Sequence, residues 1–388
     1  MKKITSSLLM LIAVTLSAQN EPNPILTGAP FLRISPDARS SGLGDQGVAT
    51  SADTNSQYWN AAKYAFSKDY SSISATYTPY LSSLTSDVYL LNATYFTFLG
   101  TEERSTLAAS INYFNLGNID LNGLNAATGE IINLGMAKPN EFSIDLSYGL
   151  RLSNNYSMAV TGRYIRSDMY NGTNEANLQP GSSFAVDVAG FYETEPMDTD
   201  HFEGKLRAGF QISNIGPKLD YSKSEDISNY LPTNLRLGVG YDFKFDDYNK
   251  LAVSTQFSKL LVPTPKYIYD ADGQVIGREI PNKGPIDGIF SSFGDAPGGF
   301  SEEMKEISYS LGAEYSYNEA LFIRTGYFHE SRLKGDRQHI TFGAGLRYNS
   351  FGIDLSYLVP TSKTNNALEN TMRFGISWNF GGETRNAY

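Results

Sequence analysis

Toward the C-terminus the chain alternates without a break. Met372, Phe374, Ile376, Trp378 and Phe380 form one row of an extended strand, and Thr371, Arg373, Gly375, Ser377 and Asn379 form the other. The same period of two recurs in Phe351, Ile353, Leu355, Tyr357 and Val359 against Gly352, Asp354 and Ser356. It recurs again in Phe142, Ile144, Leu146, Tyr148 and Leu150 against Ser143, Asp145, Ser147, Gly149 and Arg151. Fourteen such segments are predicted. They lie near Ser71 to Pro79, Asp87 to Phe98, Ser105 to Asn115, Glu141 to Leu152, Asn155 to Arg166, Ser183 to Glu193 and Gly204 to Asn214. The rest lie near Thr233 to Phe245, Lys250 to Leu261, Glu306 to Tyr317, Ala320 to Glu330, Gln338 to Tyr348, Phe351 to Pro360 and Glu369 to Phe380. Each runs about ten residues, enough to cross a bilayer when tilted. One apolar and one polar row per strand suits a wall with lipid outside and a lumen inside. The predicted fold is all-β, a 14-stranded antiparallel transmembrane β-barrel.

Connection lengths orient the barrel. Gly100 to Arg104, Ser153-Asn154, Asp246 to Asn249, Asn318-Glu319 and Asn349-Ser350 are short, whereas Leu116 to Asn140, Ser167 to Ser182, Ile215 to Pro232 and Val262 to Lys305 are long. Outer-membrane barrels keep short turns in the periplasm and long loops outside. The chain is therefore expected in the cell outer membrane, with both mature ends periplasmic, a barrel over residues 70–380, a longest extracellular loop at 262–305 and a tail at 381–388. Parity sends Asp145, Arg163, Arg207, Arg236, Arg347, Asp354 and Arg373 to the lumen as an expected ion-paired network. On the lipid face an Arg or Lys at the midplane costs about 2 to 4 kcal/mol. Diameter grows with strand number, so 14 strands enclose more space than side chains alone fill. Residues 19–69, with the small, turn-rich stretch Ser40 to Gly47, are expected to plug it as an N-terminal hatch.

Composition adds the compartment. Lys2-Lys3, apolar Leu8 to Leu16 and small Ser17-Ala18 read as a secretory signal peptide over residues 1–18. Beyond it no apolar run reaches the roughly 18 residues of a membrane helix. With 26 Tyr, 22 Phe and 35 Gly, membrane residence falls to strands. The net charge is −10, or −12 without Lys2 and Lys3, which argues against nucleic acid as a partner. The absence of cysteine excludes a lipobox, disulfides, zinc–thiolate sites and a thiol nucleophile. Asp270-Ala271-Asp272-Gly273 lacks the remaining positions of a calcium loop and reads as a hairpin turn, so neither metal nor cofactor is expected. His329 and Ser331 share a strand face, as two members of a lipid A deacylase triad would. A polar strand end is the favoured reading, and no enzymatic activity is expected.

The longest loop carries Ile289, Phe290, Phe293 and Phe300. Outside the membrane such side chains either fold back over the barrel mouth or meet a partner. Two stretches resemble a known family. Pro30-Phe31-Leu32-Arg33-Ile34, Pro36-Asp37-Ala38-Arg39, Gly42-Leu43-Gly44-Asp45 and Tyr58-Trp59-Asn60-Ala61-Ala62-Lys63-Tyr64-Ala65-Phe66 are similar to the N-terminal hatch of FadL-like barrels. They resemble most closely the PorV family of the Bacteroidetes type IX secretion system. FadL relatives usually carry Asn-Pro-Ala where this chain has Asn60-Ala61-Ala62. Gly288 to Phe300, followed by Ser301 to Glu306, resembles that family's fifth extracellular loop. The resemblance implies a FadL-like hatch built on Trp59, Asn60, Lys63 and Tyr64, and a carrier role. Such a carrier binds the C-terminal signal domain of a secreted protein as it leaves the translocon barrel. It then delivers that cargo to the sortase-like attachment complex at a surface of outer-membrane lipid and lipopolysaccharide. A FadL-type importer of hydrophobic small molecules shares this architecture and needs an apolar route past the hatch.

Overall fold

The computed structural model of the chain describes residues 22–81, 85, 87–124, 128–169, 178–222, 228–272, 274–362 and 371–380. The expected signal segment and C-terminal tail lie outside the described residues. The barrel strands are β1 (Ser71–Pro79), β2 (Val88–Leu99), β3 (Ser105–Leu116), β4 (Asn140–Arg151), β5 (Tyr156–Asp168), β6 (Gly181–Glu193) and β7 (Glu203–Ile215). They continue as β8 (Asn234–Lys244), β9 (Asn249–Leu260), β10 (Ile307–Tyr317), β11 (Leu321–His329), β12 (Gln338–Tyr348), β13 (Phe351–Pro360) and β14 (Met372–Phe380). Each pairs antiparallel with its two neighbours. The ring closes where β1 meets β14, from Ser71 opposite Phe380 to Tyr77 opposite Phe374. Closure leaves no strand edge in hydrocarbon, where unpaired backbone groups would be costly. Every periodic segment read from the sequence forms one of these strands, and β12 and β13 have the predicted ends.

The outward rows are apolar, as in Ile144, Leu146 and Tyr148 of β4, while Asp145 and Ser147 between them are buried inside. At the short-turn end Phe202, Tyr241, Phe243 and Phe245 cluster, and Trp378 stacks on Phe351 at 5.3 Å. Amphipathic rings at that level form the belt that anchors a barrel at a membrane interface. The turn between β10 and β11 is tight. Asn318 and Glu319 both take left-handed backbone angles, and Ala320 N donates to Tyr317 O at 3.1 Å, the I′ geometry that matches strand twist.

Residues 22–69 run through the lumen. Asn23 donates its backbone N–H to Leu333 O at 2.7 Å and its amide to Pro265 O at 3.0 Å, and Gly28 N donates to Tyr230 O at 2.8 Å. Pro265 and Tyr230 lie in long connections, and Leu333 in the β11–β12 connection at the same end of the barrel. At the other end Ala61, Ala62 and Tyr64 pack on Phe96, Phe98, Ala108 and Phe191, and Phe66 lies under Arg151 next to a short turn. The segment thus crosses the barrel once, from the long-loop mouth to the base, where β1 begins. The expectation of two periplasmic ends concerns termini that lie outside the described residues. The path needed to enter β1 from the base leaves the first described residues at the opposite mouth, while β14 ends at the base.

Where the segment meets the wall, backbone lies on backbone. A Cβ on Gly326 of β11 would fall 2.1 Å from Gly44 N and Leu43 C, and one on Gly312 of β10 would fall 2.6 Å from Leu43 O. Gly312 and Gly326 are register partners, so together they form a seat without side chains.

The topology is testable with single cysteines in intact cells. Asp272→Cys, in the exposed hairpin of the longest loop, and Leu26→Cys, exposed near the first described residues, are expected to react with a membrane-impermeant maleimide. Asp247→Cys, in the β8–β9 turn, is expected to stay unlabelled until the outer membrane is opened. The reverse pattern would invert the barrel.

Candidate functional site

The connection from β9 to β10 is folded. It contains a hairpin of Lys266–Tyr269 with Val275–Glu279, a helix over Pro285–Ser291, and a helical turn over Phe300–Glu303 that runs into Met304–Glu306. Asp270 shapes the hairpin turn, its Oδ1 accepting from Asp272 N at 3.0 Å and Gln274 N at 2.8 Å. Pro285 opens the longer helix, where its missing N–H costs nothing, and Asp287 in the first turn suits the helix dipole. Gly288 faces inward, and a Cβ there would meet Pro263 and Tyr230 at 3.2 and 3.3 Å. This turns Ile286 and Phe290, one turn apart, away from the barrel, with Phe293 following. Phe300 and Met304 repeat the i,i+4 spacing. These five side chains are between 51% and 79% exposed, so they do not fold back over the mouth. Of the four loop residues singled out in the sequence, Phe290, Phe293 and Phe300 lie on this surface. Ile289 is half-buried, and Ile286 and Met304 join the surface in its stead.

Beneath the apolar surface lies a frame of buried charges. Glu302 Oε1 accepts from Lys334 Nζ at 2.6 Å and from Asn23 Nδ2 at 3.1 Å, while its Oε2 accepts from Gly298 N at 2.7 Å. Glu306 takes Lys334 at 2.9 Å, Lys259 at 2.5 Å and Thr264 Oγ1 at 2.7 Å. Glu303 joins Lys259 at 3.1 Å to Ala296 N at 2.8 Å. The loop, the β11–β12 connection, β9 and the start of the lumenal segment are tied at one place.

Removing one partner of a buried pair costs about 3 to 5 kcal/mol, because the other charge is left uncompensated. Lys334→Met is therefore expected to speed proteolysis within 262–305 while the barrel keeps its heat-resistant migration on gels. Unchanged cleavage would show that the loop stands without the frame. Burial pushes Glu302 up, but Lys334, Asn23 and the Gly298 N–H outweigh it and hold the carboxyl below its usual range near 4.5. Its contribution is complete above that pH and is lost as acid titrates it, so the same proteolysis is expected to quicken on acidification.

The lumen residues read from the sequence mostly pair. Arg163 meets Asp145 at 2.6 Å and Asp187 at 3.1 Å, Arg207 meets Asp242 at 2.5 Å, and Arg347 meets Asp354 at 2.6 Å. Arg373 lies 3.6 Å from Asp45, a carboxylate of the lumenal segment. That segment supplies charges the sequence reading missed. Arg39 joins Asp53 at 2.7 Å to Glu314 at 2.8 Å, and Glu314 passes the contact to Arg324. Arg236 has no carboxylate within ion-pair distance among the described residues.

The motif residues Trp59, Asn60, Lys63 and Tyr64 are buried and hold the lumenal segment together. Trp59 Nε1 donates to Asp37 at 2.7 Å, Asn60 bridges Val48 O and Gly190 O, Lys63 donates to Gly47 O at 2.8 Å, and Tyr64 stacks on Phe96 at 4.4 Å. His329 stacks on Tyr309 at 4.9 Å, while Ser331 Oγ accepts from Leu333 N at 3.4 Å, so the two side chains serve separate local contacts.

A closed ring of 14 strands, with short turns at one end, long loops at the other and a chain segment threaded through its lumen, is an outer-membrane β-barrel of the FadL architecture. The Pseudomonas putida toluene transporter TodX shares it, with a TM-score of 0.53 at 10% identity over 89% of this chain and 98% of that one. The Ralstonia pickettii toluene transporter TbuX aligns with a TM-score of 0.48 at 11% identity over 88% of this chain and 95% of that one. No curated protein sequence matches the chain. The family model of the type IX secretion system protein PorV matches residues 17–267, more than half of the chain. The chain belongs to the PorV family, and it is an outer-membrane protein of type IX secretion.

Proposed function

We propose that this chain is the carrier of the type IX system. It binds the C-terminal signal domain of a secreted protein beside the translocon barrel and passes it to the sortase-like attachment complex. The observation that carries this reading is the framed surface of Ile286, Phe290, Phe293, Phe300 and Met304 on the extracellular side. Protein interfaces draw most of their energy from a few aromatic anchors held in place before binding. A free aromatic surface on a buried ionic frame meets that requirement. Import of apolar solutes draws less support, because the cavity in the lumen is lined by Arg33, Arg236, Lys334, Arg337, Glu306 and Glu330. The test is affinity purification of the tagged chain from its own outer membrane after brief cross-linking. Secreted proteins bearing intact C-terminal signal domains, together with a larger barrel, are the expected co-purifying species. Recovery of the chain alone would remove the carrier reading.

A further inference from the structure

One arginine of the barrel wall stands apart. Arg236 of β8 is 6% exposed and has no carboxylate within 4 Å among the described residues, whereas every other fully buried arginine of the barrel wall has one. Its contacts are neutral. Nη1 donates to Gln211 Oε1 at 2.7 Å and Nη2 reaches Tyr58 Oη at 3.4 Å. The Asn234 amide, oriented to satisfy its neighbours, accepts from Nε at 3.2 Å. The guanidinium carbon sits 5.1 Å from the Tyr58 ring centre and 5.2 Å from that of Trp59. A guanidinium has five N–H groups, so two remain without a protein acceptor.

Those rings and Arg236 line a cavity of about 70 Å³, bounded also by Ser35, Asp45 and His339. Buried polar atoms there lack partners too. Ser35 Oγ makes no hydrogen bond, nor does His339 Nδ1, while His339 Nε2 lies 3.2 Å from Asp45 Oδ2. Of the neighbouring acids, Asp45 lies 3.6 Å from Arg373 and keeps an Oδ1 free of hydrogen bonds, while the other two are committed. Glu330 is held by Arg33 and Arg337, and Glu306 by Lys334 and Lys259. Orphaned donors around a roomy polar cavity require a guest, since an unmet buried polar group costs about 1 to 3 kcal/mol.

We infer that this chamber is a binding site for a small carboxylate, held by the free N–H groups of Arg236 with Ser35 and His339 as hydrogen-bonding partners. A carboxylate fits because a guanidinium fork presents parallel donors to its two oxygens. The site is independent of the carrier reading and uses none of the loop aromatics.

The chain carries two tryptophans, Trp59 against Arg236 and Trp378 on the lipid face, so Trp378→Phe leaves Trp59 as the reporter. In the full-length protein in detergent, iodide is expected to quench this emission with saturation, caesium is expected to have little effect, and acetate is expected to relieve the iodide quenching. In Arg236→Gln, iodide is expected to bind at least about tenfold more weakly, the loss of one charge-assisted contact. Arg207→Lys, which alters a paired arginine elsewhere in the lumen, is expected to leave the titration unchanged. Failure of acetate to compete in the protein that retains Arg236 would overturn the inference, whether or not the glutamine variant assembles. Equal quenching by caesium and iodide would do so as well.

Discussion

Replacing Phe290 and Phe293 together by serine is expected to abolish most secretion through the type IX system while the barrel reaches the outer membrane at its normal level. The two rings project from the Pro285–Ser291 helix and its exit, three residues apart and exposed, so their loss opens no core. Exposed substitutions of this kind change stability by about 0.5 kcal/mol or less. Truncating an interface anchor costs about 2 kcal/mol or more, which is roughly 30-fold in affinity for one ring. Secreted proteins are expected to accumulate in the periplasm, as a quantitative blot of cell fractions shows. Lys334→Met is expected to give a milder defect in the same direction, since it loosens the surface without removing it. Full secretion by the double serine variant at wild-type abundance would leave the aromatics without a role in transport.

The second large effect concerns the lumen. Gly326→Val is expected to unseat the threaded segment, because its first side-chain carbon would occupy a point 2.1 Å from Gly44 N and Leu43 C, backbone atoms that cannot rotate aside. Overpacking by one or two carbons costs about 1 to 3 kcal/mol where side chains give way, and here only the whole segment can move. It would draw Arg39 from Glu314 and Asp45 from Arg373, stranding buried charges in the wall. Cells carrying the variant are expected to become sensitive to antibiotics too large for ordinary porins. Gly162→Val, at a wall position with nothing within 4 Å, is the control expected to be silent. Equal surface abundance of both variants, checked by heat-modifiable migration, separates a leak from failed assembly. An unchanged antibiotic barrier in Gly326→Val cells would mean that the segment does not seal the lumen.

The wall was legible because a physical boundary writes it. Hydrocarbon on one side and lumen on the other impose a period of two on every crossing strand, so β12 and β13 could be bounded to the residue from Gln338 to Tyr348 and from Phe351 to Pro360. The lumenal segment has no such boundary along its length. Its contacts are made with distant wall positions, such as Leu43 with Gly312 or Arg39 with Glu314, and nothing local in Ser40 to Gly47 encodes them. That is why its direction of travel, and the share of Arg39, Asp45 and Asp53 in the lumen network, emerged only in three dimensions. Parity reports which side Arg236 faces and not what it meets there, so its lack of a carboxylate has no mark in the sequence. In the long loop a signal was present. Pro285, Asp287 and the i,i+4 pair Ile286 and Phe290 spell a short helix, which would have placed Ile286 on the exposed face and turned Ile289 partly inward.

The carrier account is tested most directly by where Phe290 points during secretion. A photoreactive phenylalanine analogue incorporated at position 290 and activated in living cells reports every protein within a few ångströms of the loop. The account predicts adducts that contain the C-terminal signal domain of secreted proteins, absent when that domain is deleted from the cargo. Adducts confined to lipopolysaccharide or to the chain's own loops, in cells that are secreting normally, would contradict it.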